Sequence, residues 1–66
     1  MRIVLNGEAQ SVPEACSVSE LLRILEIDGG RVAVEVDGSI VRKSDWSSVR
    51  VHEGSKVEVV HFVGGG

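Results

Sequence analysis

The sequence has few cysteines, histidines and aromatic residues, and it contains no long apolar run. Its single cysteine, Cys16, excludes an internal disulfide framework, and its two histidines, His52 and His61, provide no cluster of metal ligands. No apolar stretch is long enough to span a membrane, and no signal peptide precedes the first strand-like residues. We therefore expect a cytoplasmic protein with reduced thiols.

The chain is short and mildly acidic. Its 66 residues make one domain with a marginal core and little room for a substrate cavity. The net charge is −3, and the basic residues are scattered without a cluster, so a nucleic-acid-binding surface is not indicated. An acidic protein of this kind suits a basic docking surface on a partner protein.

A tight hairpin is predicted at the start of the chain. Asn6-Gly7 is the favoured pair for a type I′ turn, because both central residues need a positive φ. The turn joins two strand-like segments, Arg2 to Leu5 and Ala9 to Val12. Pro13 then ends strand pairing, since it has no amide hydrogen to donate.

A short helix is predicted next. Ser17 and Glu20 have the spacing of a capping box, in which each side chain satisfies a free amide at the helix start. The apolar residues that follow at helical spacing form one stripe: Val18, Leu21, Leu22 and Leu25. Gly29-Gly30 is expected to stop the helix after about three turns.

The second half of the chain reads as strands separated by turns. Residues Arg31 to Val36 alternate between two faces, and Asp37-Gly38 turns the chain into a short strand, Ser39 to Val41. Ser44 is expected to cap a single helical turn that includes Trp46. Residues Lys56 to Val63 form the last strand.

This order of elements predicts an α+β fold. One helix covers one face of a mixed sheet, which is the ubiquitin-like β-grasp layout, with the first and last strands side by side in the centre. Residues 1–63 form the domain, and residues 64–66 form a flexible C-terminal glycine tail. On the uncovered sheet face we expect an apolar docking patch of Val4, Ala33, Val60 and Phe62. The alternative is that Val60 and Phe62 pack against the loop that carries Trp46.

The tail consists of glycine alone. Gly64, Gly65 and Gly66 follow the last strand without a linker. Because glycine has no Cβ, such a tail can enter a narrow cleft and present its carboxylate to another enzyme. The tail by itself is equally consistent with a frayed end or a cloning remnant.

Taken together, these motifs resemble the ThiS family, the ubiquitin-like sulfur-carrier proteins of thiamin biosynthesis. The resemblance runs the whole length of the chain and rests on these segments: Asn6-Gly7, Val12-Pro13-Glu14, Ser17-Val18, Leu21-Leu22, Val32 to Gly38, Ile40-Val41, Asp45-Trp46 and Val60 to Gly66. Many relatives have proline where this chain has Arg42, a difference that we expect to affect only a loop.

The resemblance implies that partner proteins carry out the chemistry. A ThiF-like adenylyltransferase uses ATP and Mg²⁺ to adenylate the carboxylate of Gly66, and a cysteine desulfurase or related donor supplies sulfur for a C-terminal thiocarboxylate. Thiazole synthase then takes the sulfur into the thiazole ring of thiamin. Gly64 and Gly65 are implied to pass through the partner's cleft. The protein itself is expected to be a co-substrate without a bound cofactor or metal, not an enzyme, and to bind neither nucleic acid nor membrane.

The residues alone are also consistent with other functions. Sulfur carriers of molybdopterin synthesis, cysteine synthesis or tRNA thiolation share this fold and tail, although the Val-Glu-Val-Asp-Gly segment favours thiamin. A ubiquitin-like modifier and a non-covalent binding module are further alternatives. We interpret Cys16 as a bystander, Trp46 as the anchor of its loop and His61 as a structural or partly exposed residue, since they form no recognisable catalytic arrangement.

Overall fold

Five strands and one α-helix make up residues 1–62, the part of the chain that the computed structural model describes. The elements are β1 (Arg2–Leu5), β2 (Glu8–Ser11), α1 (Val18–Ile24), β3 (Val32–Val36), β4 (Ser39–Val41) and β5 (Lys56–His61), with short 3₁₀ turns at Gly29–Arg31 and Lys43–Asp45. The predicted extension of the last strand to Val63 and the predicted tail at 64–66 lie outside the described residues.

The sheet has the strand order β2-β1-β5-β3-β4. The first and last strands pair in parallel at its centre, with Val4 opposite Lys56 and Leu5 opposite Val57. The other strand pairs are antiparallel. This mixed sheet with one helix confirms the predicted β-grasp fold.

The core lies between the helix and one face of the sheet. Side chains from the helix stripe and from the central strands are buried there: Val18, Leu21, Leu22, Ile3, Val34, Val57 and Val59. Leu5 and Leu25 are partly buried against the same cluster. The two-residue alternation of the strands therefore places one set of side chains under the helix and leaves the other set on the opposite face.

Two tight turns follow the predicted chemistry. Asn6 and Gly7 have φ values of 48° and 84°, and Asp37 and Gly38 have φ values of 51° and 87°. Positive φ at both central residues is the signature of the type I′ hairpin turn. The β1–β2 and β3–β4 hairpins were both predicted from these residue pairs.

The helix begins with the predicted capping box. The Glu20 amide donates to Ser17 Oγ at 3.1 Å, and the Ser17 amide donates to Glu20 Oε1 at 3.0 Å. The hydrogen bond from the Ser17 backbone lowers the pKa of the Glu20 carboxyl, because it stabilises the charged form. The start of the helix is therefore fixed by local sequence.

The predicted end of the helix is wrong. The helix stops at Ile24 after about two turns, before Gly29-Gly30 is reached. Glu26 takes a left-handed φ of 56°, its amide donates to the Arg23 carbonyl at 3.1 Å, and the Ile27 amide donates to the Leu22 carbonyl at 2.9 Å. These two bonds form a Schellman motif, which satisfies the last helix carbonyls with glutamate in the position that glycine usually occupies.

The predicted cap at Ser44 is also wrong. The 3₁₀ turn begins after Arg42 and has no side-chain cap, and Ser44 lies inside it. The prediction for Trp46 is confirmed: its side chain is buried, and its Nε1–H donates to the Val41 carbonyl at 3.0 Å. Trp46 thus anchors the loop between β4 and β5.

Candidate functional site

The last strand presents apolar side chains on the uncovered face of the sheet. Val57 and Val59 point into the core, so that Val60 and Phe62 lie on the opposite face. Val60 is 50% exposed and Phe62 is 61% exposed. The alternative in which these two residues pack beneath the Trp46 loop is therefore wrong.

The structure brings three of the four predicted patch residues together. Ala33 on β3 lies directly opposite Val60 on β5, and Phe62 follows two residues later on the same face. We call Ala33, Val60 and Phe62 the apolar corner. Val4 lies opposite Lys56 instead, four residues from Val60 along β5, or about 13 Å. The apolar corner is next to the point where the chain continues into the glycines.

Two carboxylates and an isoleucine also occupy this face. Glu35 on β3 is directly opposite Glu58 on β5, and Ile40 on β4 is opposite Glu35 on its other side. Ile40 is 73% exposed. The two Val-Glu-Val segments signal that each glutamate faces away from the core. Only the strand register shows that the carboxylates are cross-strand neighbours, an arrangement that is unfavourable for like charges.

Asn6 holds the last strand from the other side. Its backbone amide donates to the Val57 carbonyl at 2.9 Å, and its side-chain Oδ1 accepts from the Val59 amide at 2.8 Å. On the β3 side, the Phe62 amide donates to the Arg31 carbonyl at 2.9 Å. The strand that leads to the glycines is thus fixed in the sheet as far as Phe62.

Cys16 and His61 do not form a reactive centre. Cys16 is buried, and burial raises the pKa of its thiol, as does the nearby Glu20 carboxylate, so that the reactive thiolate is disfavoured. The Cys16 thiol donates to the Ser17 carbonyl at 3.4 Å. His61 is exposed near the end of β5, opposite Val32. The burial of Cys16 agrees with its interpretation as a bystander, and His61 matches the exposed alternative and not the structural one.

Within residues 1–62 the fold encloses no pocket and gathers no group of three potential metal-ligating side chains. The helix in the same range is neither long nor apolar enough to cross a bilayer. The candidate site, which rests on the exposed apolar side chains, consists of the exposed sheet face and β5, the strand that precedes the glycines.

These features define the class of protein as a ubiquitin-like β-grasp protein with an open sheet face beside its C-terminal strand. The ThiS family model matches residues 3–66. The chain belongs to the ThiS family, a family of small sulfur-carrier proteins.

Solved and curated relatives agree with this assignment. The crystal structure of the thiamine biosynthesis protein ThiS from Geobacter metallireducens superimposes with a TM-score of 0.88 at 32% identity, with full coverage of both chains. A thiazole synthase from Paramagnetospirillum magneticum is 42% identical over 66 residues, which are 100% of this chain but 20% of that protein. An uncharacterized protein, ycf40, from Porphyra purpurea is 31% identical over 64 residues, 97% of this chain and 90% of that protein. The chain thus spans about a fifth of the thiazole synthases that it matches.

Proposed function

We propose that this protein is a sulfur carrier for the thiazole ring of thiamin, and that its working group is the carboxylate of Gly66. The observation that carries the proposal is the family match, which extends over residues 3–66 and includes the glycines. The thiamine biosynthesis relative of matching length supports the choice of pathway.

The chemistry requires activation, because a carboxylate is a poor electrophile. A ThiF-like adenylyltransferase joins the Gly66 carboxylate to the α-phosphate of ATP, with Mg²⁺, and releases pyrophosphate. The terminal sulfur of a persulfide, which a cysteine desulfurase or related donor forms from cysteine, attacks the acyl carbon and displaces AMP. A thiol then cleaves the resulting acyl disulfide, which releases the thiocarboxylate and leaves the donor sulfur and the thiol joined as a disulfide. The resulting thiocarboxylate holds the sulfur in a covalent bond and as a nucleophile. Thiazole synthase uses it as its sulfur source.

Mass spectrometry of the intact protein, purified from its own cells without harsh reductant or alkylating agents, tests this proposal. We expect a species that ends at Gly66 and is heavier by the difference between one sulfur and one oxygen atom. Consumption of that species by thiazole synthase supports the thiamin assignment. A mass that stays unmodified after incubation with ATP, a sulfur source and the adenylyltransferase contradicts the carrier function.

The same incubation separates the remaining alternatives. A ladder of heavier conjugates in lysate indicates a protein modifier, whereas a free thiocarboxylate that thiazole synthase ignores indicates a carrier of another pathway, such as molybdopterin synthesis. Retention of full function after deletion of Gly65-Gly66 indicates a non-covalent binding module.

Substitution of the penultimate glycine tests the role of the tail. We expect Gly65→Val to fold normally and to lower the adenylation rate by about 100-fold or more, because a branched side chain displaces the carboxylate from the reacting position. Gly65→Ala, with a single methyl group, should give an intermediate rate. Pyrophosphate exchange measures adenylation, and urea unfolding controls for stability. Normal adenylation of Gly65→Val would contradict the hypothesis that the glycine tail enters a narrow cleft of the adenylyltransferase.

A further inference from the structure

The last strand extends beyond its partner on one side. β1 pairs with β5 only at Lys56 and Val57, and the chain of β1 then turns away at Asn6-Gly7. β5 continues to His61 and remains paired with β3 on its other side. Its second half therefore has an edge that no other described strand covers.

The hydrogen bonds show which backbone groups face this edge. The Phe62 amide donates to Arg31 on the β3 side. Because backbone groups alternate along an antiparallel pair, those of Val60 and Glu58 face β3 as well, and those of Val59 and His61 face away from it. Asn6 accepts from the Val59 amide. The other backbone groups that face away from β3 are the Val59 carbonyl and the His61 amide and carbonyl. They have no backbone hydrogen-bond partner within residues 1–62.

We propose that this open edge of β5 binds an extended strand of the protein that acts on the tail. The inference rests on the proposed function. An unpaired strand edge is a template for strand addition, in which main-chain hydrogen bonds supply affinity and neighbouring side chains supply specificity. The adjoining apolar corner provides those neighbouring side chains.

Continuity with the tail favours a partner enzyme over a second copy of this chain. Gly66 lies five residues beyond His61, a reach of about 17 Å when extended. An enzyme that holds Gly66 in its active site is therefore within about 17 Å of His61, and the open edge of β5 is the nearest unpaired part of the sheet along the chain.

Amide hydrogen exchange tests the proposal on the unmodified protein. We expect the His61 amide to exchange quickly in the free protein and at least tenfold more slowly in the complex with the ThiF-like adenylyltransferase. The Ala9 amide provides the control. The Val12 amide donates to Met1, so that alternation turns the Ala9 amide outward on the opposite edge of the sheet. Its exchange should not change.

Three variants test the same edge by function. His61→Pro removes the outward amide without removing a bond to β3, and it should raise the KM of the adenylyltransferase for this protein about tenfold with little change in kcat. His61→Ala keeps the amide and should give a KM clearly below that of His61→Pro, which separates the loss of the amide from the loss of the imidazole. Ala9→Pro removes an outward amide far from the tail and should leave KM unchanged.

The outcomes distinguish the inference from the proposed function. Two results together overturn the edge-pairing inference and leave the carrier function intact. They are normal adenylation of His61→Pro and rapid exchange of the His61 amide in the complex of the wild-type protein. Protection of His61 in the free protein that increases with concentration identifies a second copy as the occupant and also overturns it. Absence of adenylation in the wild-type protein overturns the proposed function and the inference together.

Discussion

Gly29 lies too close to the Trp46 side chain to accept an added carbon without a shift. A Cβ at this position would lie 2.8 Å from Cζ3 of Trp46. The indole cannot easily move, because it is buried and its Nε1–H is bonded to Val41. We expect Gly29→Ala to lower the free energy of unfolding by about 1–3 kcal/mol, the usual cost of overpacking a filled core. Urea unfolding measures the change.

Gly30→Ala is the matched control for that substitution. Its Cβ would lie 3.2 Å from Oδ1 of Asp28, an exposed side chain that can shift. We expect a smaller loss of stability than at Gly29. Equal losses at the two positions would show that backbone conformation, and not the contact with Trp46, requires glycine here.

At the scale of elements, the end of the helix stores a small amount of backbone strain. Glu26 occupies a left-handed conformation in which its Cβ is unfavourable, whereas glycine adopts it freely. We therefore expect Glu26→Gly to raise the free energy of unfolding by about 1 kcal/mol. Glu14→Gly, which removes the same side chain where φ is not positive, should be neutral or destabilising. A destabilising Glu26→Gly would mean that the glutamate side chain itself supports the helix end.

The pairing of β3 with β5 places two like charges side by side. Neither Glu35 nor Glu58 takes part in the side-chain hydrogen bonds of residues 1–62, which engage Glu20, Glu53, Asp28 and Asp37 instead. We expect Glu58→Gln to increase the free energy of unfolding by about 0.2–1 kcal/mol, most clearly at low salt. Glu8→Gln is the control. It makes the same charge change at the first residue of β2, which lies opposite Leu5 and not opposite a carboxylate. An equal gain from Glu8→Gln would assign the effect to net charge.

These elements also show what sequence can predict. The strands and both hairpins followed from Asn6-Gly7, Asp37-Gly38 and two-residue alternation, because each signal is local. The helix end was missed because Glu26 replaces the usual glycine, so the Schellman motif has no sequence signal. The opposition of Glu35 and Glu58 could not be derived, since register between distant strands is set by tertiary packing.

At the scale of the whole molecule, the one α-helix within residues 1–62 covers one sheet face and leaves the other exposed in that part of the chain. The central strand of the sheet, β5, precedes the glycines. The sequence predicted this face by alternation, but it grouped Val4 with Ala33, Val60 and Phe62. The register separates Val4 from the other three, because β1 ends early and meets only the first half of β5. The fold therefore brings the apolar corner together at the end of β5, separate from the exposed Ile40 on β4.

The apolar corner should consequently matter for docking and little for folding. We expect Val60→Ser with Phe62→Ser to change the free energy of unfolding by less than about 1 kcal/mol, since both side chains are largely exposed. The same double variant should raise the KM of the adenylyltransferase about tenfold in pyrophosphate exchange. Ile40→Ser is the matched control, because Ile40 is exposed on the same face but lies beyond Glu35. An equal rise in KM for Ile40→Ser would extend the docking surface across the whole face, and an unchanged KM for the double variant would remove the apolar corner from it.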